Sequence, residues 1–110
     1  LCELQARFAT GAQCRVAAPG EVLFTRGQAA ATLFQLMTGR VRLEREGGAE
    51  LLGPDGLPEG FLEFESYLRG RPYGTTATVE ETAFLVAIDA DHREAILRGY
   101  PGLVLGVLEG

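Results

Sequence analysis

One histidine, His92, and two cysteines, Cys2 and Cys14, are the chain's whole supply of imidazole and thiol groups. A four-cysteine zinc or iron–sulfur site needs four thiols around one centre, and a metal-dependent cupin needs several His and a carboxylate. These residues are too few for any of them, and a lone His or Cys is weak evidence for a haem ligand, so no metal or cofactor is expected. The cysteine spacing is not C-x-x-C. One disulfide is allowed, but so cysteine-poor a chain reads better as two thiols in a reducing cytoplasm than as a secreted disulfide scaffold. One stretch, positions 63 to 79, interleaves acidic, basic and hydroxyl groups. Glu63, Glu65 and Ser66 precede Arg69 and Arg71, and Thr75, Thr76 and Thr78 follow. Carboxylate, guanidinium and hydroxyl groups in that order suit the binding of a polar ligand. Taken singly they also suit a helix turn, a solvated loop and a strand.

The chain has 110 residues, which fits one domain, 1–110. Hydrophobic residues make up 46%, enough for a packed core and too many for a disordered chain. The net charge is −5, and all ten basic residues are Arg. An acidic surface repels phosphodiester backbones, so no nucleic-acid binding is expected of this chain alone. No apolar run approaches the ~20 residues that span a bilayer, and no signal-peptide pattern is visible. A cytoplasmic location without membrane contact is therefore expected.

Outside 63–79, helical spacing of Leu1, Leu4 and Phe8 predicts a short N-terminal helix stopped at Gly11. Residues 21–25 read as a short strand between the turns at Pro19-Gly20 and Gly27. Residues 32–45 alternate as a strand does, with Gly39 as a bulge or tight corner. Gly47-Gly48 signals a hairpin. Three glycines and two prolines make 53–60 a loop, residues 63–68 fit one or two helical turns, and 70–74 form a second loop. Residues 75–88 are strand-like, with a break near Glu80-Glu81. Asp91 can cap a helix over 92–98 with Glu94 at its third position, and Pro101 opens a final helix carrying Leu103, Val104, Val107 and Leu108. A helix, about eight short strands and then helices predict a mainly β fold.

Several of these segments resemble the cyclic-nucleotide-binding domain family. Pro19-Gly20-Glu21-Val22-Leu23-Phe24-Thr25-Arg26-Gly27 resembles the family's opening P-G-x-x-[IL]-[FY]-x-x-G. Leu33-Phe34-Gln35-Leu36-Met37-Thr38-Gly39-Arg40-Val41 is similar to its L-[FY]-x-[IL]-x-x-G-x-[VA]. Thr76-Ala77-Thr78-Val79 resembles the stretch after its phosphate-contacting arginine, and Phe84-Leu85-Val86-Ala87-Ile88-Asp89 its last strand. The resemblance implies a double-stranded, jelly-roll-like β-roll with a short N-terminal helix and C-terminal helices. It also implies a regulatory domain that is not an enzyme, with cAMP or cGMP as effector ligand.

In that family an Arg forks onto the cyclic phosphate, backbone N–H groups at the start of a short helix cradle it, and a Glu holds the ribose 2′-OH. The resemblance places Glu65 at the Glu position, with Glu63 serving in a shifted alignment. Phe64 stands where Gly is expected and Thr75 where Arg is expected. Loss of that Arg removes charge-assisted bonds worth ~1.5–3 kcal/mol each. Arg69 and Arg71 are the nearest cations that could substitute. The expected ligand-binding residues are Glu63, Phe64, Glu65, Ser66, Arg71, Thr75, Thr76 and Ala77, with Phe61, Phe64, Tyr67 and Tyr73 clustered around them as core aromatics. Two functions follow as expectations. One is a sensory domain that binds cAMP, cGMP or a related small anion weakly if at all. The other is a degenerate interaction or homodimerisation module that pairs through the final helix, either as the effector half of a transcription regulator or as a stand-alone domain.

Overall fold

The computed structural model describes residues 12–109, and the helix read over 1–8 with its stop at Gly11 lies outside them. Six strands form one antiparallel sheet: β1 (Ala12–Ala17), β2 (Val22–Phe24), β3 (Thr32–Arg45), β4 (Gly48–Leu52), β5 (Phe61–Leu62) and β6 (Thr76–Asp89). The hydrogen-bonded order is β1-β6-β3-β4; β2 pairs with one half of β6, and β5 with one half of β3. Helix α1 (Phe64–Arg69) leads into β6, and α2 (Arg93–Gly99) and α3 (Pro101–Glu109) close the described chain.

The expected eight short strands become six because two of them are 14 residues long. Strand β3 runs through Gly39, and β6 runs through Glu80-Glu81. The pair does not end where glycine and glutamates interrupt its pattern. It bulges there, with register shifts between Leu36 and Val41, and bends so that the sheet folds over on itself. Gly39 makes the bend. Its φ is +97°, and a Cβ at that position would stand 2.4 Å from the Thr82 carbonyl oxygen. Only a residue without a side chain fits.

Beyond the bend the sequence pattern translates directly into faces. Val41, Leu43, Ala77 and Val79 point inward and are buried, while Arg42 and Glu80 point outward and pair with each other. The roll interior holds Phe24 stacked on Tyr73, with ring centroids 3.9 Å apart, together with Phe34, Leu36, Leu62 and Leu85. A second cluster lies on the other face of β3 and β6, where Leu33, Val86 and Ile88 meet Phe61, Phe64, Tyr67 and Ile96. All four aromatics that cluster in the sequence around 61–73 are thus core residues.

Two local expectations are corrected. The cap ahead of α2 is Asp89, whose carboxylate accepts from the Asp91 amide; Asp91 itself is exposed. A 3-10 turn over Ala90–His92 precedes the helix proper and shifts its start to Arg93. Asp89 also takes the His92 ring at 2.7 Å, so the lone histidine serves this helix start. Cys14 is disulfide-bonded, not a free thiol.

Burial pushes the Tyr67 phenol up to about 12, opposed by Arg93 and reinforced by Asp89 and Asp91. In the unfolded chain it titrates near ~10. The folded state therefore holds its proton after the unfolded state has released it. The corresponding stability is complete below pH ~10 and is lost as the pH rises toward 12. Burial raises the Tyr73 phenol as well. Urea titrations across this range should show the midpoint falling, and Tyr67→Phe should flatten the fall without abolishing it. Gly39→Ala should cost on the order of 3 kcal/mol in the same assay. Gly102→Ala, on α3 with open space around it, should be neutral or gain up to about 1 kcal/mol.

Candidate functional site

Helix α1 is short, and its ends are defined by two left-handed residues. Gly70 closes it with φ +66°; its amide and that of Arg71 turn back to the last carbonyls of the helix, Arg71 to Ser66 at 2.9 Å. Glu63 opens it with φ 53°, ψ 44°, a conformation that costs a non-glycine residue about 1 kcal/mol or more. Two hydroxyls hold the Glu63 carboxylate in place. Ser66 donates to one oxygen at 2.7 Å, and Thr75 donates to the other at 2.6 Å.

Thr75 comes from the loop ahead of β6, and that loop is fixed. The Tyr73 amide donates to the Gln28 carbonyl at 2.8 Å, its carbonyl accepts from Gly27 at 2.9 Å, and its phenol donates to the Thr32 carbonyl. Thr75 is buried, at 7% exposure, and points at Glu63 across the space left by Gly74. The result is a cavity of about 360 Å³ lined by Leu43, Arg45, Glu63, Gly74 and Thr75. A wider cleft of about 700 Å³ lies on the other side of α1, between Phe61, Phe64 and the α3 residues Leu103 and Val107. Glu63 and Glu65 also line that cleft, whereas the smaller cavity sets Glu63 beside Arg45 and Thr75.

Of the eight residues expected at a ligand, the structure brings Glu63, Ser66 and Thr75 together. It does not bring the others to them. Phe64 is buried against Phe61, 5.2 Å between ring centroids, and does not line the smaller cavity. Glu65 is on the exposed side of α1, where it pairs with Arg69 at 3.1 Å. Glu63 and not Glu65 occupies the cavity because the left-handed turn precedes the helix by one residue, which rotates position 65 outward. The Arg71 side chain is exposed beyond the helix stop, and no described residue pairs with it. Thr76 accepts from the Arg26 amide at 3.0 Å, and Ala77 is core. Arg45, on the cavity wall, was missed by sequence reasoning. The signal that could have found it is the alternation Val41, Leu43, Arg45, which continues the inward face of β3.

Three contacts tie α1 to the C-terminal helices. Tyr67 donates to the Asp89 carbonyl at 2.7 Å, and Arg93 donates to the Tyr67 carbonyl at 2.9 Å while its guanidinium lies 5.1 Å from the Tyr67 ring centre. Arg69 donates to the Val107 carbonyl of α3 at 2.8 Å. Among the described residues no group of three or more His, Cys, Asp or Glu is placed to hold a metal ion, and no helix is long and apolar enough to cross a membrane.

Comparison with known proteins agrees with this fold. The profile of the cyclic nucleotide-binding domain matches residues 14–100. The structure of PKAR CBD2 with Sp-2Cl-cAMPS bound is similar over 96% of this chain and 70% of that one, at TM-score 0.74 and 14% identity. A protein from a cyclic-GMP-dependent signalling pathway that regulates bacterial phytopathogenesis is similar over 99% and 89%, at TM-score 0.70 and 23% identity. A mutant of a cAMP-binding acyltransferase from Mycobacterium smegmatis is similar over 84% of this chain but only 30% of that one, at TM-score 0.67 and 26% identity. No curated protein sequence matches the chain. The fold is the β-roll of cyclic-nucleotide-binding proteins with its helices at the C-terminus, and the chain belongs to the cyclic nucleotide-binding domain family.

Removing the Thr75 hydroxyl should cost more than removing the Glu65 charge. Thr75→Val leaves a half-buried carboxylate with one donor in place of two, a loss of about 1–2 kcal/mol. Glu65→Gln breaks an exposed pair and should stay within ~0.5 kcal/mol. Chemical denaturation of both variants checks the order, and a reversal would mean that Glu65, not Glu63, is the engaged carboxylate.

Proposed function

We propose that this domain is a regulatory, ligand-sensing module which takes cAMP, cGMP or a related small anion weakly in the Glu63–Thr75 cavity and reports occupancy through its C-terminal helices. It is a binding module and not a catalyst. The observation that carries this is Thr75 itself. A neutral hydroxyl stands on the cavity wall where the family resemblance expects a guanidinium, and that hydroxyl is engaged by Glu63. The cavity keeps the carboxylate suited to a ligand hydroxyl and lacks the cation that would fork onto a phosphate from this strand.

The output route rests on α1. A ligand that displaced Ser66 or Thr75 from Glu63 would disturb the left-handed turn at the helix start. Tyr67, Arg69 and Arg93 join that helix to α2 and α3, so two arrangements of α1 would become two arrangements of the C-terminal helices. A second reading, homodimerisation through α3, is favoured by the exposure of Leu105 (56%) and Leu108 (68%) on that helix. Light scattering at high protein concentration tests it: a dimer supports it and a monomer removes it. The acidic net charge of −5 makes nucleic acid a poor partner for these residues.

Calorimetric titration with cAMP and then cGMP tests the main reading. The wild-type domain should bind about ten- to a hundredfold more weakly than Thr75→Arg, which restores the missing guanidinium. Equal affinity of the two proteins would overturn the account of Thr75. Absence of binding by both would remove the ligand-sensing role altogether.

A further inference from the structure

The guanidinium absent from position 75 has a replacement one strand away. We propose that Arg45 is the anion-contacting residue of this cavity, and that the ligand it selects is a small anion carrying hydroxyl or amine donors, its anionic group toward Arg45 and its donors toward Glu63. The inference rests on the reading of the Glu63–Thr75 cavity as the ligand site and adds the residue that reads the ligand's charge.

Register is the first support. Strands β3 and β6 pair Leu43 with Ala77 and Glu44 with Thr76. The ladder ends there, and one further step in the same register would set position 45 beside position 75, in the loop just before β6. Alternation is the second. Val41 and Leu43 face inward along β3, as Val79 and Ala77 do along β6; Arg45, at the exposed end of β3, and Thr75, buried in the loop just before β6, continue that alternation. The cavity agrees with that direction, because its lining includes both. An arginine lost from one strand and present at its cross-strand neighbour leaves the site with the same charge delivered from the opposite wall.

The present partner of Arg45 is weak. Its guanidinium meets Glu50 at 3.5 Å, and both side chains are more than half exposed, so solvent screens the pair. Glu50 pairs opposite Leu43 in the β3–β4 hairpin and does not line the cavity. An anion in the cavity would meet Arg45 in a less solvated setting and offer two oxygens to its planar fork. The Glu63 carboxylate faces the same space and would repel an anion placed against it. The two charges therefore orient a ligand, with acceptors at the Arg45 end and donors at the Glu63 end, and they disfavour one that is anionic throughout.

Titrations of the domain with cAMP and with adenosine separate this proposal from the reading beneath it. Arg45→Gln should weaken cAMP binding about tenfold or more and leave adenosine binding unchanged. Glu50→Gln, which frees Arg45 from its partner, should strengthen cAMP binding by a few-fold, a gain that a damaged fold could not produce. Thermal melts of each variant report folding alongside. The proposal is overturned if Arg45→Gln binds cAMP as wild type does, or if wild type binds none while Thr75→Arg binds; in both cases a gain in Thr75→Arg keeps the cavity as the ligand site. If Thr75→Arg also fails to bind, the site reading falls as well.

Discussion

The pairing of β3 with β6 is the constraint on which the rest of the structure depends. These two strands meet over most of their length and carry the inward residues of both apolar clusters. A flat sheet would leave the inner cluster open, because that cluster lies inside the roll while the other packs behind it. The bend at Gly39 resolves this by letting one ladder serve two cores. Its cost is local and steric. A backbone without a Cβ has to stand against the Thr82 carbonyl, and the registers on either side of the bend then fall where the bulges put them. Positions 43 and 77, 41 and 79, 36 and 85 become neighbours as consequences of a single turn in the chain.

The site inherits its precision from that ladder and from one loop. Helix α1 has only six residues, too short to hold itself in water, so its place must come from tertiary contacts. Phe64 and Tyr67 anchor it in the second core, and Gly70 ends it before Arg71 can extend it. What remains free to face the cavity is the residue before the helix. Glu63 adopts a left-handed conformation that its side chain does not favour, and two hydroxyl bonds are what compensate for it locally. Helix α1, which that residue opens, is stitched to α2 and α3 by Tyr67, Arg69 and Arg93.

Much of this was legible in the sequence. The turn glycines, the alternation over 41–44 and 77–80, and the run of aromatics at 61–73 predicted strands, hairpin and core correctly, because period-two burial leaves a direct trace in residue type. The strand count was not legible. Gly39 and Glu80-Glu81 interrupt the hydrophobic pattern, and a pattern cannot distinguish a strand that stops from one that bulges and continues. Which of Glu63 and Glu65 faces the smaller cavity was not legible for a related reason: it turns on where the first helical residue falls, and a one-residue shift rotates every side chain of a short helix by about 100°. The cap at Asp89 was missed because a 3-10 turn inserted itself ahead of the helix.

The role proposed for Arg45 was the hardest to see, for a reason rooted in how motifs are compared. Motif comparison asks whether a given position keeps its residue, and at position 75 the answer is a hydroxyl. Electrostatics asks only what charge reaches the cavity. In an antiparallel ladder two positions distant in sequence share one face, so a charge can leave one and arrive at the other with little change in the field a ligand meets. The competing partner of Arg45 is a screened surface glutamate, so the exchange costs preorganisation more than it costs charge. A site rebuilt this way binds less tightly than one whose guanidinium is held from the start, yet it retains a preference for ligands with an anionic end. Weak binding with retained selectivity is the physical signature that separates a relocated cation from a lost one.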